Sequence, residues 1–296
     1  MNTVETYQAL FDQWIAKKDA KSEAALQEFL DSDAFFDLSY AIRNKSFITS
    51  SKLKAFEENE LYAKYRYIDL IPEPVTEETD PMTVGTATDD LLTYGDRYFA
   101  SQYIVVPRRT ESEAQRYAGK TLLTNTMFQQ IERAANEYKL NPYFPKAIRK
   151  HTIIWLAFGK YPCKAELDYF ERGVEFGDVK TVANVDKVDP SKQYLLQMQF
   201  YFQGIFEKYQ EKIPCRIFAV DKFKDYSRSE QWRFGIPTLE QGQGRVNNLI
   251  LKWISAIETG MFNPPDMRTP EGRKAMRASS YYTICPLARA EFPLEL

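Results

Sequence analysis

Cysteine and histidine are scarce in this chain of 296 residues. The three cysteines, Cys163, Cys215 and Cys285, are far apart and odd in number, which argues against a disulfide framework. No pair of them has the spacing of a zinc or iron–sulfur ligand set, so we expect neither kind of centre. A reducing compartment is the simplest interpretation, and we therefore expect a cytoplasmic protein.

Long apolar runs and an excess of either charge are also missing. The longest apolar stretch, "TIIWLAFG", is too short to span a bilayer, and the first residues have neither the basic start nor the apolar run of a signal peptide. We expect no membrane partner. The net charge of −2 excludes a global basic field for nucleic acid, so only a local patch would serve. No Walker A sequence is present, and we expect no ATP site.

The composition, 44% hydrophobic and 27% charged, is that of an ordinary globular protein with a substantial core. Residues 1–45 contain two amphipathic stretches, and we interpret them as a helical N-terminal extension. A cap on the main core is the favoured role, with an arm that docks a partner as the alternative. One stripe of the first helix is apolar: Val4, Tyr7, Leu10, Phe11, Trp14 and Ile15.

Residues 46–150 are predicted to be mostly helical. We expect one Ser-capped helix in "ITSSKLKAFEENELYAKYRY" and a long helix over residues 86–103. Residues 107–120 are polar and Arg-bearing, and are expected to be mobile. A further helix ends at "NPYFP" because proline cannot continue it.

After residue 150 the pattern changes to β-branched and aromatic runs broken by turn residues, which is typical of strands. A helix capped by Asp189 follows, and then come two more strands and a closing helix that ends at Gly260. We interpret residues 46–260 as one α/β domain in which helices flank a small mixed sheet. Residues 261–296 are interpreted as a C-terminal tail that packs on this core.

Two carboxylates and a lysine come together if the strands in "CKAELDYFERGVEFGDVKT" pair as a hairpin. Lys164, Glu166 and Asp168 share one face of the first strand because side chains alternate. Asp178 and Lys180 share a face of the second strand. Two carboxylates with a main-chain carbonyl suit Mg²⁺ or Mn²⁺, and a lysine beside the ion can orient or deprotonate a water. The pattern predicts metal-assisted phosphodiester hydrolysis.

A hairpin with a polar, solvated outer face is the alternative. Asp178 and Lys180 would then form a surface ion pair that contributes little energy. An Asp-x-Lys sequence alone is expected by chance in a chain with 27% charged residues, whereas a second Asp across a Gly-containing turn is a stronger signal. On the hairpin alone, both interpretations stay open.

Further segments carry the pattern of one family in its order along the chain. These are "SSKLKAF", an opening helix; "GTATDDLL", similar to a Gly-Thr-Ala-x-His helix; "GDVKT", an Asp-x-Lys-Thr motif; and the Gln-x-x-x-Tyr pair of Gln197 and Tyr201. Together with the hairpin they resemble the PD-(D/E)xK nuclease superfamily, most of all the phage-type recombination exonucleases related to exonuclease VIII and the RecB nuclease domain. The resemblance covers residues 46–260 and implies a restriction-endonuclease-like fold.

Carried over position by position, the resemblance implies a metal centre. Asp168 and Asp178 would hold one or two Mg²⁺ or Mn²⁺ ions with help from the main-chain carbonyl of Val179. Lys180 would position the attacking water and stabilise the charged transition state. Asp168, Asp178 and Lys180 are thus the expected catalytic residues.

Two positions depart from the family pattern. Asp89 stands where a metal-associated His is usual, and His151, the only histidine, stands where a Glu is common. An aspartate is a competent ligand for a hard cation and a neutral imidazole can ligate manganese, so we expect both Asp89 and His151 among the metal ligands. A strand-edge histidine with a satisfied hydrogen bond is the alternative for His151.

The same resemblance implies the substrate and the partners. Gln197 and Tyr201 would contact the DNA end or support the site, and Ser50, Ser51 and Lys52 would lie near the phosphate path. We expect a metal-dependent deoxyribonuclease. The leading interpretation is an exonuclease that acts on linear duplex DNA in phage-type recombination or DNA processing. A homo-oligomer and a single-strand annealing partner are implied by the family alone. A catalytically inactive nuclease fold that binds DNA or a protein is the alternative.

Overall fold

The computed structural model of the chain describes the greater part of its residues. The described residues are 3–36, 38, 46–69, 80–145, 148, 150–222, 225–264, 266 and 269. Most of the predicted C-terminal tail, including Cys285, lies outside them. None of the helices in these ranges combines the length and the hydropathy that a membrane span requires.

Three helices open the chain: α1 (Thr3–Lys17), α2 (Ala20–Leu30) and α3 (Asp33–Phe36). Asp19 caps α2, because its side chain accepts a hydrogen bond of 2.7 Å from the backbone N–H of Ser22. The helices bury one apolar cluster, formed by Tyr7, Phe11, Trp14, Leu26, Leu30, Phe35, Leu38, Phe47 and Ile154. Ile154 belongs to a strand of the main domain, so the helical unit covers the core.

The segment predicted to be one Ser-capped helix contains two helices, α4 (Ser50–Glu58) and α5 (Glu60–Tyr67). Thr49, and not a serine, caps α4 through a bond from the backbone N–H of Lys52. Asn59 has extended backbone angles and its side chain accepts a bond of 3.1 Å from the N–H of Tyr62. The prediction was wrong at this point because Asn59 both ends α4 and caps α5.

A long helix, α6 (Asp80–Gln102), carries Asp89 and begins before the predicted start at residue 86. It is interrupted at Gly95, whose φ of 76° is readily adopted only by glycine.

The segment predicted to be mobile, residues 107–120, contains a short helix. The elements that follow α6 are β1 (Tyr103–Val106), α7 (Glu111–Arg116), β2 (Thr121–Thr124) and α8 (Asn125–Leu140), with β1 and β2 paired in parallel.

The strands after residue 150 form a hairpin and a sheet. The hairpin pairs β3 (His151–Ala157) with β4 (Tyr161–Leu167) in antiparallel fashion. The sheet has the order β5-β6-β7-β8, formed by β5 (Tyr169–Glu171), β6 (Glu175–Val182), β7 (Cys215–Asp221) and β8 (Ser229–Phe234). Its β6–β7 pair is parallel and the other two pairs are antiparallel, so the predicted mixed sheet is confirmed.

The remaining helices are α9 (Pro190–Gln193), α10 (Leu195–Tyr209), α11 (Ile236–Gln241) and α12 (Gln243–Thr259). Asp189 caps α9 as predicted, and α10 supplies the crossover that a parallel β6–β7 pair requires. α10 lies close to β3, because a side chain at Gly204 would come within 2.6 Å of the Trp155 ring. The chain is therefore a mixed α/β fold with small sheets flanked by helices, as predicted.

Candidate active site

A cavity of about 270 Å³ opens where α4, α6, β4, β6 and α10 meet. It is polar and contains most of the residues expected from the sequence. Its walls are formed by Thr49, Ser50, Ser51, Asp89, Lys150, Lys164, Glu166, Asp168, Asp178, Val179, Lys180, Gln197 and Tyr201. His151 and Lys52 are the two predicted site residues that do not line it.

Asp168 lies between β4 and β5, one residue before the β5–β6 hairpin begins. That hairpin pairs Tyr169 with Gly177, which brings Asp168 beside the start of the Asp-x-Lys sequence. The backbone N–H of Val179 donates a hydrogen bond of 2.7 Å to Asp168 Oδ2 and so fixes the carboxyl group. Burial, together with the carboxylates of Asp178 and Asp89, raises the pKa of Asp168 well above its usual range.

Asp178 is buried inside β6, with only 3% of its surface exposed. Gly177 precedes it, and a side chain there would overlap the carbonyl oxygen of Arg216 and the ring of Tyr169. The Asp178 carboxylate forms an ion pair with the ammonium group of Lys180. The alternative of a solvated hairpin with a surface ion pair is therefore wrong for this residue.

Lys180 follows Asp178 on the same face of β6, and its side chain remains 29% exposed to the cavity. Burial lowers the pKa of Lys180, but Asp178 and Asp168 outweigh burial and raise it. The main-chain carbonyl of Lys180 accepts a hydrogen bond of 2.8 Å from the Tyr138 hydroxyl, which anchors this part of β6 to α8. Lys180 is thus held as an ammonium ion beside both carboxylates.

Gln197 and Tyr201 lie one turn apart on α10 and contact each other, and Gln197 also contacts Asp178. The Gln197 side-chain nitrogen donates hydrogen bonds to Tyr201 Oη, at 2.8 Å, and to Asp178 Oδ1, at 3.4 Å. Burial, together with Asp178, raises the pKa of the Tyr201 phenol well above its usual range. Tyr201 therefore stays neutral and serves as an acceptor for Gln197.

Asp89 reaches the cavity from α6 and meets a residue that the sequence did not single out. Lys150 Nζ lies 2.7 Å from Asp89 Oδ2, and the ammonium group also lies 5.8 Å from the centre of the Tyr94 ring. Burial would lower the pKa of Lys150, but Asp89 and Asp168 outweigh it and raise the pKa. The only signal in the sequence was the adjacency of Lys150 to the strand that carries His151.

A third ion pair, between Lys164 and Glu166, lines the same cavity at 2.7 Å. Both residues were predicted to share a face with Asp168, but neither was assigned to the site. Lys164 is almost completely buried, with a side-chain exposure of 1%, and its ammonium lies 4.9 Å from the centre of the Phe35 ring. The N-terminal helical unit therefore contacts the buried Lys164 side chain through Phe35 of α3.

Of the three residues expected near the phosphate path, Ser50 and Ser51 line the cavity. Lys52 instead points inward, where its Nζ donates a hydrogen bond of 2.8 Å to the Phe47 carbonyl. Burial and the neighbouring charge of Lys164 lower the pKa of Lys52 to about 7. The expectation for Lys52 is corrected on this point, because a buried lysine bonded to a main-chain carbonyl cannot reach a phosphate in the cavity.

The structure does not bring His151 to the carboxylates. The Nε2 atom of His151 lies 3.1 Å from the Tyr209 hydroxyl, and its ring packs 5.1 Å from the ring of Phe170. This placement corrects the expectation of a metal ligand and matches the alternative of a strand-edge histidine with a satisfied hydrogen bond. The reason is the register, which pairs His151 with Leu167 at the end of β4.

The chemistry of the cavity fits a hard divalent cation held by Asp168 and Asp178. Burial and repulsion oppose ionisation of Asp168, and a cation beside it would relieve both. Oxygen ligands are those that Mg²⁺ and Mn²⁺ prefer. Within the described ranges, however, no three His, Cys, Asp or Glu side chains come close enough to ligate one ion, so the full set expected from the sequence is not assembled.

Comparison with known proteins gives the class of the chain. Residues 49–265 match the model of a family described as a PDDEXK-like domain of unknown function (DUF3799), and the chain belongs to that family. This confirms the expected superfamily and the expected restriction-endonuclease-like fold. No curated protein matches the chain.

Solved structures that match the chain include the following two. One is a protein named "Putative exonuclease" from Eubacterium rectale, with a TM-score of 0.60 and 15% identity over 88% of this chain and 94% of that one. The other, SSO0001, has a TM-score of 0.34 and 16% identity over 77% of this chain and 95% of that one, too low a score for any conclusion. At 15% identity, the likeness to the Eubacterium rectale protein shows a shared fold.

Proposed function

We propose that the chain is a metal-dependent deoxyribonuclease that hydrolyses phosphodiester bonds of linear duplex DNA from its ends. The observation that carries the proposal is the cavity in which Asp168, Asp178 and Lys180 meet. A buried carboxylate, Asp178, and a half-buried one, Asp168, beside an ammonium group have no use in an ordinary core, because burying charge is costly unless a partner or a cation compensates it.

Asp168 and Asp178 are the residues that would hold Mg²⁺ or Mn²⁺, assisted by the main-chain carbonyl of Val179. When bound, such an ion polarises a phosphoryl group and lowers the pKa of a water. The Val179 N–H keeps Asp168 in place, and Gln197 does the same for Asp178. Both carboxylates are thus oriented before any substrate arrives, which is the condition for electrostatic catalysis.

Lys180 acts as a fixed positive charge in this scheme. Its raised pKa keeps it protonated next to the two carboxylates, so it donates hydrogen bonds to a phosphate oxygen or to the attacking water. A cation on the carboxylates would lower that pKa again, which would also permit a proton transfer from water. Ser50 and Ser51, which line the cavity at the first turn of α4, would bind a neighbouring phosphate.

Nuclease action is supported by membership of the PDDEXK-like family. Exonuclease action on duplex ends rests on the sequence resemblance to the phage-type recombination exonucleases, and the Eubacterium rectale protein named "Putative exonuclease" shares the fold. A homo-oligomer that surrounds DNA and a single-strand annealing partner belong to the same proposal. So do a cytoplasmic location and a role in phage-type recombination.

Digestion of linear duplex and of covalently closed circular duplex tests this proposal. We expect Mn²⁺ to permit degradation of the linear form to nucleotides while the circle survives, and a chelator to abolish it. Cleavage of the circle at an equal rate would contradict the exonuclease assignment while leaving the nuclease assignment in place.

A nuclease fold that binds DNA without cutting it is the second candidate. It is favoured by the incomplete ligand set within the described ranges and by the pairing of Asp89 with Lys150. This candidate predicts retention of linear duplex on the protein with no cleavage in Mg²⁺, Mn²⁺ or Ca²⁺. Metal-dependent release of nucleotides would eliminate it.

A further inference from the structure

Lys150 is a cavity residue without a role in the function proposed so far. Its ammonium group lies 2.7 Å from Asp89 Oδ2, and both side chains are only partly exposed, at 23% and 32%. Lys150 directly precedes β3, whereas Asp89 lies on α6, so two separate elements hold the pair in position. The interaction is therefore part of the architecture of the cavity.

This pairing changes the ligand set available to a metal. A carboxylate that already compensates an ammonium group is a weaker ligand, because a cation must displace that ammonium first. Asp168 and Asp178 differ from Asp89 because the β5–β6 hairpin places these two carboxyl groups beside each other and they share the single ammonium group of Lys180, so the pair keeps a negative charge for a cation. Within the described part of the chain no three ligand side chains form a group, which agrees with Asp89 being separate from the ligand pair of Asp168 and Asp178.

The net charge of the side chains that line the cavity also indicates one cation and not two. Among the described residues that line the cavity, four carboxyl groups face three ammonium groups: Asp89, Glu166, Asp168 and Asp178 face Lys150, Lys164 and Lys180. With all of them ionised, one negative charge is left over. One divalent cation would give the cavity a single positive charge, which matches a phosphodiester anion, whereas two would leave a large excess.

We propose that the site binds one divalent cation, at Asp168 and Asp178, and that the Lys150 ammonium takes the place of a second cation at Asp89. This inference rests on the proposed metal-dependent function and specifies its ion count. Lys150 would stand as a fixed positive charge beside the substrate phosphate, where a two-metal nuclease has its second ion.

The number of bound Mn²⁺ ions tests the proposal without DNA and without turnover. Free Mn²⁺ is followed by electron paramagnetic resonance while it is titrated into the full chain. We expect one ion per wild-type chain and two per Lys150→Gln chain, because Gln frees the Asp89 carboxylate and removes a positive charge. Lys150→Arg keeps the charge and is expected to bind one ion.

A double variant identifies the place of the second ion. Asp89→Asn combined with Lys150→Gln is expected to return the count from two to one. Thermal unfolding of each variant, in the presence of a chelator, confirms that it is folded. If Lys150→Gln unfolds, Asp89→Asn alone still tests the inference, because it must leave the wild-type count of one unchanged.

Different outcomes would contradict the role of Lys150 and the proposed metal-dependent function. Two ions on the wild-type chain, or one ion on a folded Lys150→Gln chain, would overturn the role of Lys150 and leave metal-dependent hydrolysis standing. Asp178→Asn is expected to lose the wild-type ion. A wild-type chain that binds no Mn²⁺, or an Asp178→Asn chain that binds as the wild type does, would overturn the proposed metal site itself.

Discussion

The Gln197 side-chain nitrogen lies 3.4 Å from Asp178 Oδ1 and donates a second hydrogen bond, of 2.8 Å, to Tyr201 Oη. A residue that contacts no metal thus orients a residue that would hold one. Such supporting residues fix the orientation and the rotamer of a metal-ligating side chain before the metal binds.

Gln197→Ala is therefore expected to lower the rate of DNA cleavage about 10-fold or more, while the free energy of unfolding changes by only about 1 kcal/mol. Single-turnover cleavage and urea unfolding measure the two effects. Gln8→Ala, at an exposed site on α1, is the matched control and is expected to change neither. An unchanged cleavage rate in Gln197→Ala would remove Gln197 from the site.

Gly177→Ala is expected to destabilise the chain by about 1–3 kcal/mol, because the added methyl group would overlap the Arg216 carbonyl and the Tyr169 ring. The displacement would move β6 and with it Asp178, so cleavage is expected to fall as well. Gly244→Ala is the control, since it meets no atom within 4 Å and lies in α12 with ordinary helical angles. It is expected to be neutral or slightly stabilising. Equal effects of the two substitutions in denaturant melts would contradict the packing argument.

The pH dependence of stability should report the burial of Lys52. Its pKa is about 7 in the folded chain and 10.5 in the unfolded chain, so the unfolded state binds more protons between these values. Stability is therefore expected to rise with pH across this window, by up to about 1.4 kcal/mol per pH unit from this one group. The cost of charging Lys52 is fully present below pH 7.

Lys52→Met removes this titration, and its free energy of unfolding is expected to exceed that of the wild type most clearly at and below pH 7. Lys54→Met, at an exposed site on the same helix, is expected to keep the wild-type slope. Denaturant unfolding at several pH values gives both slopes. A Lys52→Met chain with the wild-type slope would show that the group is not buried as described.

Trp14→Ala tests whether the N-terminal helices belong to the folded unit. The Trp14 side chain is 1% exposed and belongs to the cluster that includes Ile154 of β3, so its removal is expected to cost about 3–5 kcal/mol. Phe158→Ala is the aromatic control, since Phe158 is 52% exposed at the turn of the β3–β4 hairpin. A separate unfolding transition for the helices, with the remainder unaffected, would show that they fold independently.

Much of the fold followed from local pattern. Alternation along β4 and β6, the turn at Gly173, and the Asp189 cap all depend on neighbours in the chain. The relation between Asp168 and Asp178 was predictable for the same reason, because one short hairpin joins them.

The contacts that the sequence did not reveal are long-range. Asp89 and Lys150 are separated by 61 positions, and no periodicity relates a residue in a helix to one just before a strand. The orientation of His151 depended on the β3–β4 register, and that of Lys52 on a carbonyl of the segment before α4. Side-chain direction at these points is decided by packing, which local pattern does not contain.

The most direct test of the central claim is single-turnover cleavage of an end-labelled linear duplex by the wild-type chain and by Asp178→Asn. The isosteric substitution removes the charge of one proposed ligand and preserves the shape of the cavity. We predict cleavage by the wild type only when Mg²⁺ or Mn²⁺ is present, and a rate at the uncatalysed background for a folded Asp178→Asn chain. Metal-dependent cleavage at the wild-type rate by Asp178→Asn would contradict the account.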